Sequence, residues 1–194
     1  MNESNYLENI GYSNLKLIIG ATCGVYIGEK ENKKYILKFI PNNASYPNNQ
    51  IKNEIKASKK LKGLNGVLCD WKEFDVDFSK DNLIIRPYVE GKELIISEYK
   101  RNKKVVASIE ETISKIHERG VCNIDFFGGT EGILRNILVD EKENIFLMDF
   151  GLVKFRDEIP KSFFYDRVEN DFATLRKFLK DRRYRDFPKI EYLV

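Results

Sequence analysis

The segment 136–155, NILVDEKENIFLMDFGLVKF, constrains the fold of this chain more than any other stretch. Two short apolar runs, residues 137–139 and 145–148, flank a polar run, and this pattern predicts a β-hairpin. The hairpin would place the side chains of Asn136 and Asp149 at the same end of two paired strands. Their oxygens suit a divalent cation whose remaining ligands are phosphate and water. The segment therefore predicts one half of a site for a metal–polyphosphate complex.

The composition fits one compact unit or two small lobes, and it argues against several other classes of protein. At 194 residues, with 42% hydrophobic and 12% aromatic residues, the chain has enough apolar side chains for a core. No apolar run approaches the roughly 20 residues needed to cross a bilayer. The polar, acidic start of the chain is unlike a signal peptide. The net charge of +3 is too small to indicate a nucleic-acid or membrane partner.

The three cysteines, Cys23, Cys69 and Cys122, are far apart in the sequence and form no CxxC pair. With a single histidine in the chain, they do not provide the ligands of an ordinary structural zinc site. An odd number of widely spaced cysteines is typical of a reduced protein. We therefore expect a cytoplasmic location.

Apolar patterns predict strands in the first part of the chain and helices afterwards. Strands are predicted at residues 15–19, 25–27, 35–40, within 67–78 and at 83–88. A polar turn at 29–34 is predicted between the second and third strands. Amphipathic helices are predicted at residues 50–62, 104–118 and about 168–181. This order indicates an α+β protein with a small sheet lobe and a helical lobe.

Lys38 stands in a predicted strand, YILKF, between two apolar neighbours. Because side chains alternate between the faces of a strand, Lys38 shares a face with Ile36 and Ile40. A lysine on an apolar face needs an anionic partner, whereas a lysine on an edge strand simply faces solvent. The sequence leaves both arrangements open. Glu54 is the only acid on the predicted helix 50–62 and is the natural partner.

Small residues join the first two predicted strands in the segment 19–26, IGATCGVY. Small side chains let backbone N–H groups approach phosphate oxygens. Gly20 and Gly24 do not complete a G-x-G-x-x-G motif, because Thr22 stands at the middle glycine and the spacing is short. On its own the segment is either an ordinary hairpin or a phosphate-binding loop.

Together these residues resemble a minimal protein-kinase-like fold, in the order in which that family carries them, over roughly residues 15–181. The resemblance implies an α+β, two-lobed fold. Residues 1–90 would form an N-lobe with a small antiparallel sheet plus one helix. Residues 91–194 would form a truncated helical C-lobe that carries the catalytic and metal-binding loops.

The resemblance also implies roles for the residues already described. Gly20 and Gly24 would belong to the glycine loop, Lys38 would contact the α- and β-phosphates of ATP, and Glu54 would orient Lys38. Asn136 and Asp149 would bind Mg²⁺, so ATP and Mg²⁺ are the expected cofactors.

The segment LIIRPYVEGKEL, residues 83–94, is similar to the hinge of the kinase family. By this match, adenine would bond to the carbonyl oxygen of Pro87 and the backbone N–H of Val89. Arg86 would occupy the gatekeeper position, which is usually apolar in the family. The hinge is therefore a departure from the family pattern at the place where the base binds.

The catalytic carboxylate is open between two residues. Counting forward from the segment His117-Glu118-Arg119-Gly120-Val121, the family's aspartate falls on Asp125, whereas counting back from Asn136 it falls on Glu131. An insertion of about six residues between them would reconcile both counts. Asp125 is the first choice because it keeps the family residue type. Glu131 is the second, and a pseudokinase in which neither acts is the third.

Asp171, in a segment that resembles the helix supporting a kinase catalytic loop, is expected to accept backbone N–H bonds from that loop. Only 43 residues follow Gly151, and the Ala-Pro-Glu motif is absent. This is similar to the small atypical kinases, namely the RIO type, the kinase of the KEOPS tRNA-modifying complex and the lipopolysaccharide-core sugar kinases. Basic residues end the chain, at Arg176, Lys177, Lys180, Arg182, Arg183 and Arg185. They form either a solvated face or a patch for RNA or another anionic partner.

The sequence therefore predicts an ATP- and Mg²⁺-dependent phosphotransferase, and an atypical serine/threonine protein kinase is the first choice. The alternatives are a sugar or small-molecule kinase of the same fold, or a pseudokinase that binds nucleotide and a partner without turnover. The acceptor would be a hydroxyl group of a protein or of a small molecule, and no membrane partner is expected.

Overall fold

The computed structural model of this chain describes residues 3–18, 24–40, 49–69, 71–75, 82–99, 102–126 and 133–179. Over these residues the chain forms three antiparallel sheets and five helices, and the class is α+β. None of the described helices is long and apolar enough to cross a membrane.

The largest sheet has five strands in the order β1-β2-β3-β5-β4, and every neighbouring pair is antiparallel. The strands are β1 (Ser13–Ile18), β2 (Gly24–Lys30), β3 (Lys33–Ile40), β4 (Lys72–Asp75) and β5 (Asn82–Pro87). All five lie near the predicted positions. Since β3 is flanked by β2 and β5, Lys38 lies on a central strand and not on an edge.

The turn between β2 and β3 is shorter than the predicted polar turn at 29–34. It consists of Glu31 and Asn32, with φ angles of 52° and 58°, as a two-residue hairpin turn requires. The prediction of the longer turn was wrong because the charged residues beside it continue the ladder. Glu29 pairs with Lys34 across the strands, which places opposite charges next to each other.

The five helices are α1 (Glu3–Asn9), α2 (Asn49–Leu61), α3 (Ile96–Tyr99), α4 (Lys103–Glu118) and α5 (Lys161–Leu179). The predictions for α2 and α4 are confirmed within a residue at each end. The prediction for α5 began too late. Its apolar stripe already includes the buried Phe164, and Pro160 directly before it favours a helix start.

The expectation of one helix within residues 1–90 was wrong, because α1 precedes the sheet. Only Leu7 of this short helix is buried, so its sequence carries little helical periodicity. Leu7 packs in one cluster with Tyr12 and with the sheet face formed by Leu37, Phe39, Leu83 and Ile85. The helix therefore exists through tertiary packing and not through its own pattern.

Two smaller sheets accompany the helices after residue 90. One contains β6 (Lys92–Ile95), β8 (Ile133–Val139) and β9 (Ile145–Leu147), and the other contains β7 (Val121–Cys122) and β10 (Lys154–Phe155). The predicted hairpin is β8–β9, with Ile137 opposite Leu147 and Val139 opposite Ile145.

The larger apolar core lies among α2, α4, α5 and these small sheets. Helix α2 belongs to it through Ala57 and Leu61, while Ile55 of the same helix packs near Ile84 of β5. Helix α2 therefore connects the five-stranded sheet to the helical core. The division into lobes at residue 90 stays a prediction.

Candidate functional site

Lys38 lies on the face of β3 opposite the apolar cluster that contains Leu37 and Phe39. Its Nζ atom is 3.2 Å from Oε1 of Glu54 on α2, and only 13% of its side chain is exposed. Of the two arrangements open from the sequence, the structure has the one with a paired lysine that is mostly withdrawn from solvent. Glu54 itself is fully buried, and its second oxygen, Oε2, accepts a hydrogen bond from Nε1 of Trp71 at 2.9 Å.

A second carboxylate faces the same lysine. Oδ1 of Asp149 is 3.6 Å from Nζ of Lys38, and the Asp149 side chain is 50% exposed. Burial raises the pKa of the Glu54 carboxyl, and the attraction of Lys38 opposes this shift. Lys38 is thus held from the buried side by Glu54, while Asp149 reaches the solvent side.

The backbone of Asp149 is in the left-handed region, with a φ angle of 64°. This conformation costs a residue with a β-carbon roughly 1–2 kcal/mol, although aspartate tolerates it better than most. Such residues concentrate at functional sites, where the surrounding structure holds them. Asp149 lies just after the second strand of the hairpin β8–β9.

Asn136 and Asp125 are joined at the other side of this hairpin. The Asn136 Nδ2 atom donates a hydrogen bond to the backbone oxygen of Asp125 at 2.9 Å. The backbone oxygen of Asn136 accepts a bond from the N–H of Met148, also at 2.9 Å, and Met148 directly precedes Asp149. These two bonds bring Asp125, Asn136 and Asp149 to one end of the hairpin.

Asp171 of α5 holds the segment that leads to Asp125. Its Oδ2 accepts from the backbone N–H of Asn123 at 2.9 Å, and its Oδ1 accepts from the N–H of Ile124 at 3.1 Å. The expectation that Asp171 accepts backbone bonds from this loop is confirmed. Nε2 of His117 lies 2.9 Å from the same Oδ2. Burial raises the pKa of the Asp171 carboxyl, and these hydrogen-bond partners oppose the shift.

Replacing Asp171 by alanine is expected to lower the free energy of unfolding by about 2–4 kcal/mol, because two buried N–H donors and His117 lose their acceptor. Urea denaturation followed by circular dichroism measures this change. Asp166→Ala, which removes an exposed carboxylate from the same helix, is the matched control and should stay within about 0.5 kcal/mol of the wild type. Equal losses in both variants would contradict the buttressing role of Asp171.

Helix α2 is fastened to the segment that follows Asp149. The Asn53 Nδ2 atom donates to the backbone oxygens of Gly151 at 2.8 Å and Val153 at 3.1 Å. One turn further, Nζ of Lys56 contacts Oδ2 of Asp157 at 2.8 Å and Oε1 of Glu158 at 2.7 Å. Sequence reasoning missed these residues, since an amide and a lysine on a polar helix face carry no pattern that points to a site.

The predicted hinge lies at the end of β5. Tyr88 donates its N–H to the backbone oxygen of Lys34 at 3.0 Å, which holds the segment of Pro87 and Val89 against the sheet. Arg86 is only 7% exposed. Burial lowers the pKa of its guanidinium to about 10, against the attraction of Glu54 and Asp149, so the group stays charged at neutral pH.

The structure thus brings Lys38, Glu54 and Asp149 into one cluster and joins Asn136 to Asp125 beside it. Gly24 begins β2 and lies against the carboxylate of Glu3, so that a side chain at this position would collide with it. Gly20 and Glu131 lie outside the described residues. In the basic tail, Arg176 and Lys177 lie exposed on α5, and the remaining basic residues also fall outside the described part.

In the described part of the chain, no three His, Cys, Asp or Glu side chains form a group that could hold a metal ion. Asn136 and Asp149 offer a smaller set of hard oxygen donors. Such a set fits Mg²⁺, which is commonly held by one or two carboxylates together with substrate phosphates and water. The two cations, Lys38 and Arg86, balance the two acids, Glu54 and Asp149, so further negative charge here calls for a metal ion.

The five-stranded sheet, the helix that pairs with its lysine, and the hairpin beside a buttressed loop define a protein-kinase-like fold. The chain is similar in structure to the kinase PK-1 of Cydia pomonella granulovirus, with a TM-score of 0.55 and 19% sequence identity. The match covers 78% of this chain and 57% of the viral chain. No family model and no curated protein matches the sequence. At this identity the likeness shows the fold, and the predicted kinase-like fold is confirmed.

Proposed function

We propose that this chain is a phosphotransferase that moves the γ-phosphoryl group of a purine nucleoside triphosphate to a hydroxyl acceptor, with ATP and Mg²⁺ as the cofactors expected from the family resemblance. The observation that carries the proposal is the position of Lys38. It lies 3.2 Å from the buried Glu54 and 3.6 Å from the half-exposed Asp149. A lysine held in this way presents its charge to an anion at the solvent side of the site.

Each residue of the site then has a defined task. Lys38 binds the α- and β-phosphates, and Glu54 fixes its position from the buried side. Gly20 and Gly24, at the two ends of the glycine loop, would bring backbone N–H groups to the phosphates, while Pro87 and Val89 would meet the base. Asn136 and Asp149 hold Mg²⁺, which supplies neutralisation of the phosphate oxygens when bound.

Transfer follows as an in-line displacement. The acceptor hydroxyl oxygen forms a bond to the γ-phosphorus, the bond from that phosphorus to the β–γ bridging oxygen breaks, and the nucleoside diphosphate leaves. Asp125 orients the hydroxyl and takes its proton. The bond from Asn136 to the Asp125 backbone oxygen at 2.9 Å supports this role, because it holds the backbone of Asp125 next to Asn136. Catalysis is then mainly positioning and charge neutralisation.

We place the chain with the atypical serine/threonine kinases, with residues 1–90 as the nucleotide-binding lobe and residues 91–194 as the catalytic lobe. A sugar or another small molecule is the second candidate acceptor. A pseudokinase that binds nucleotide and a partner is the non-enzymatic alternative.

Consumption of ATP in the presence and absence of Mg²⁺ tests the function, with a panel of protein and sugar acceptors. The expected result is Mg²⁺-dependent formation of ADP that rises with one acceptor class. Thermal stabilisation by the Mg²⁺–ATP complex is measured in parallel, because a ligand that binds the folded state raises the melting temperature. Stabilisation without turnover over the whole panel would favour the pseudokinase.

A further inference from the structure

The inner wall of the predicted base pocket is made by an arginine, Arg86. Its Nη1 atom donates to the backbone oxygen of Pro87 at 3.2 Å, and its Nη2 atom lies 3.7 Å from Sδ of Met148. The guanidinium also stacks over the ring of Trp71 at 5.2 Å. The group therefore spans the space between the hinge and the residue that precedes Asp149.

Trp71 and the sheet fix the orientation of this side chain. Trp71 is itself held by its bond to Glu54, and Ile36 lies directly across the ladder from Arg86. The Nε atom of Arg86 is buried and has no hydrogen-bond partner among the described residues. An unsatisfied buried donor costs about 1–3 kcal/mol, and this cost remains until an acceptor reaches the group.

The chemistry of the guanidinium restricts what the wall accepts. Arginine carries five N–H donors and no acceptor. Adenine turns its 6-amino group, also a donor, toward a hinge carbonyl. The carbonyl expected to receive it, that of Pro87, already accepts from Arg86. A 6-oxopurine instead offers O6 and N7, the pair of acceptors that arginine binds most favourably on a purine.

We propose that Arg86 selects the base of the nucleotide, and that the pocket prefers a 6-oxopurine, guanine or hypoxanthine, over adenine. The proposal rests on the proposed function for the location of the nucleotide at this hinge and deepens it by naming the base. ATP remains a weaker ligand of the same pocket, and Arg86 is the residue that determines the order of the nucleotide affinities.

Isothermal titration of the Mg²⁺ complexes of ATP, GTP and ITP tests the proposal. ITP differs from ATP at the purine in carrying a 6-oxo group in place of the amine and a proton on N1, and it lacks the 2-amino group of GTP. The wild type is expected to bind ITP and GTP roughly tenfold more tightly than ATP. ATP binding that equals or exceeds ITP binding in the wild type would overturn the proposal, without the need for any variant.

Arg86→Met, which keeps the length of the side chain and removes its donors, is expected to abolish or reverse the preference for ITP. Arg119→Met is the control, because Arg119 is exposed and the described hydrogen bond of its side chain goes to the backbone oxygen of Lys60, at 3.4 Å. It should keep the wild-type order. If Arg86→Met binds ATP, GTP and ITP in the same order of affinity as the wild type, the proposed role of Arg86 is wrong.

Transfer is measured separately from binding, so that the two proposals fail in different ways. If the nucleotides bind in the predicted order of affinity but no transfer occurs, the proposed enzymatic function is wrong and the base preference stands. Transfer with ATP bound most tightly would remove the base preference alone. No binding of any of the three nucleotides would overturn both.

Discussion

Asp149→Ala is expected to give a folded protein whose rate of phosphoryl transfer falls by at least roughly 1,000-fold. The substitution removes the proposed metal ligand and the solvent-side partner of Lys38, which lies 3.6 Å from Oδ1 of Asp149. A steady-state assay of nucleotide diphosphate release measures the loss. Circular dichroism and thermal melting check the fold, and alanine at a φ of 64° should lower stability only by about 1 kcal/mol.

Glu141→Ala is the matched control for this variant, because it removes an exposed carboxylate from the turn of the same hairpin. It should transfer at the wild-type rate. Full residual activity in Asp149→Ala would contradict the assignment of the metal-binding hairpin. A loss of activity that accompanies unfolding would instead report on the strained backbone, and Asp149→Asn, which tolerates the left-handed region, would then separate the two effects.

Asp125→Ala is expected to reduce transfer by roughly 100- to 10,000-fold, while Glu131→Ala keeps most of the activity. The reason lies in the contact with Asn136, which uses the backbone oxygen of residue 125. Because that oxygen is present in the alanine variant, the hairpin keeps its anchor and the loss reports on the carboxylate alone. Turnover rates of the two variants, measured at saturating nucleotide, decide the register of the loop.

Loss of activity only in Glu131→Ala would show that the catalytic carboxylate belongs to the later position, and that the segment after Asp125 is not an insertion. Wild-type rates in both variants would show that neither carboxylate takes part in transfer. Asp125→Asn is the further control. It keeps the size of the side chain and cannot take the proton from the acceptor, so it should behave as the alanine variant does.

The elements predicted well are those whose pattern is local. Helix α4 shows apolar residues at helical spacing through Val105, Ile109, Ile113 and Ile116, all of them buried. The hairpin β8–β9 is bounded by a polar turn. By contrast, α1 depends on the contact of Leu7 with the sheet, and β7 and β10 are two-residue strands that, in the described part of the chain, form a sheet of their own. None of these three elements has a pattern long enough to be recognised in the sequence.

In the candidate site, too, the sequence predicted local features but not contacts between distant elements. The alternation of side chains on β3 left open whether Lys38 meets an acid or faces solvent, and the single acid of α2 identified Glu54 as its natural partner. No sequence pattern indicated that Trp71 contacts Glu54 or that Asn53 contacts the loop after Asp149, because these contacts join elements that are distant in the chain. The choice between Asp125 and Glu131 depends on the path of the segment between them, which lies outside the described residues.

The bonds of Asn53 have a consequence for the control of this protein. Exposed ion pairs such as those of Lys56 stabilise little on their own, but Asn53 bonds α2 to two backbone oxygens of the segment after Asp149. An outward rotation of α2, which would separate Glu54 from Lys38, has to break both bonds and disturb the loop in the same movement. The two bonds therefore oppose a movement of the helix that leaves the loop in place. The chain forms these two bonds without a partner, so a regulator that acts here would have to break them.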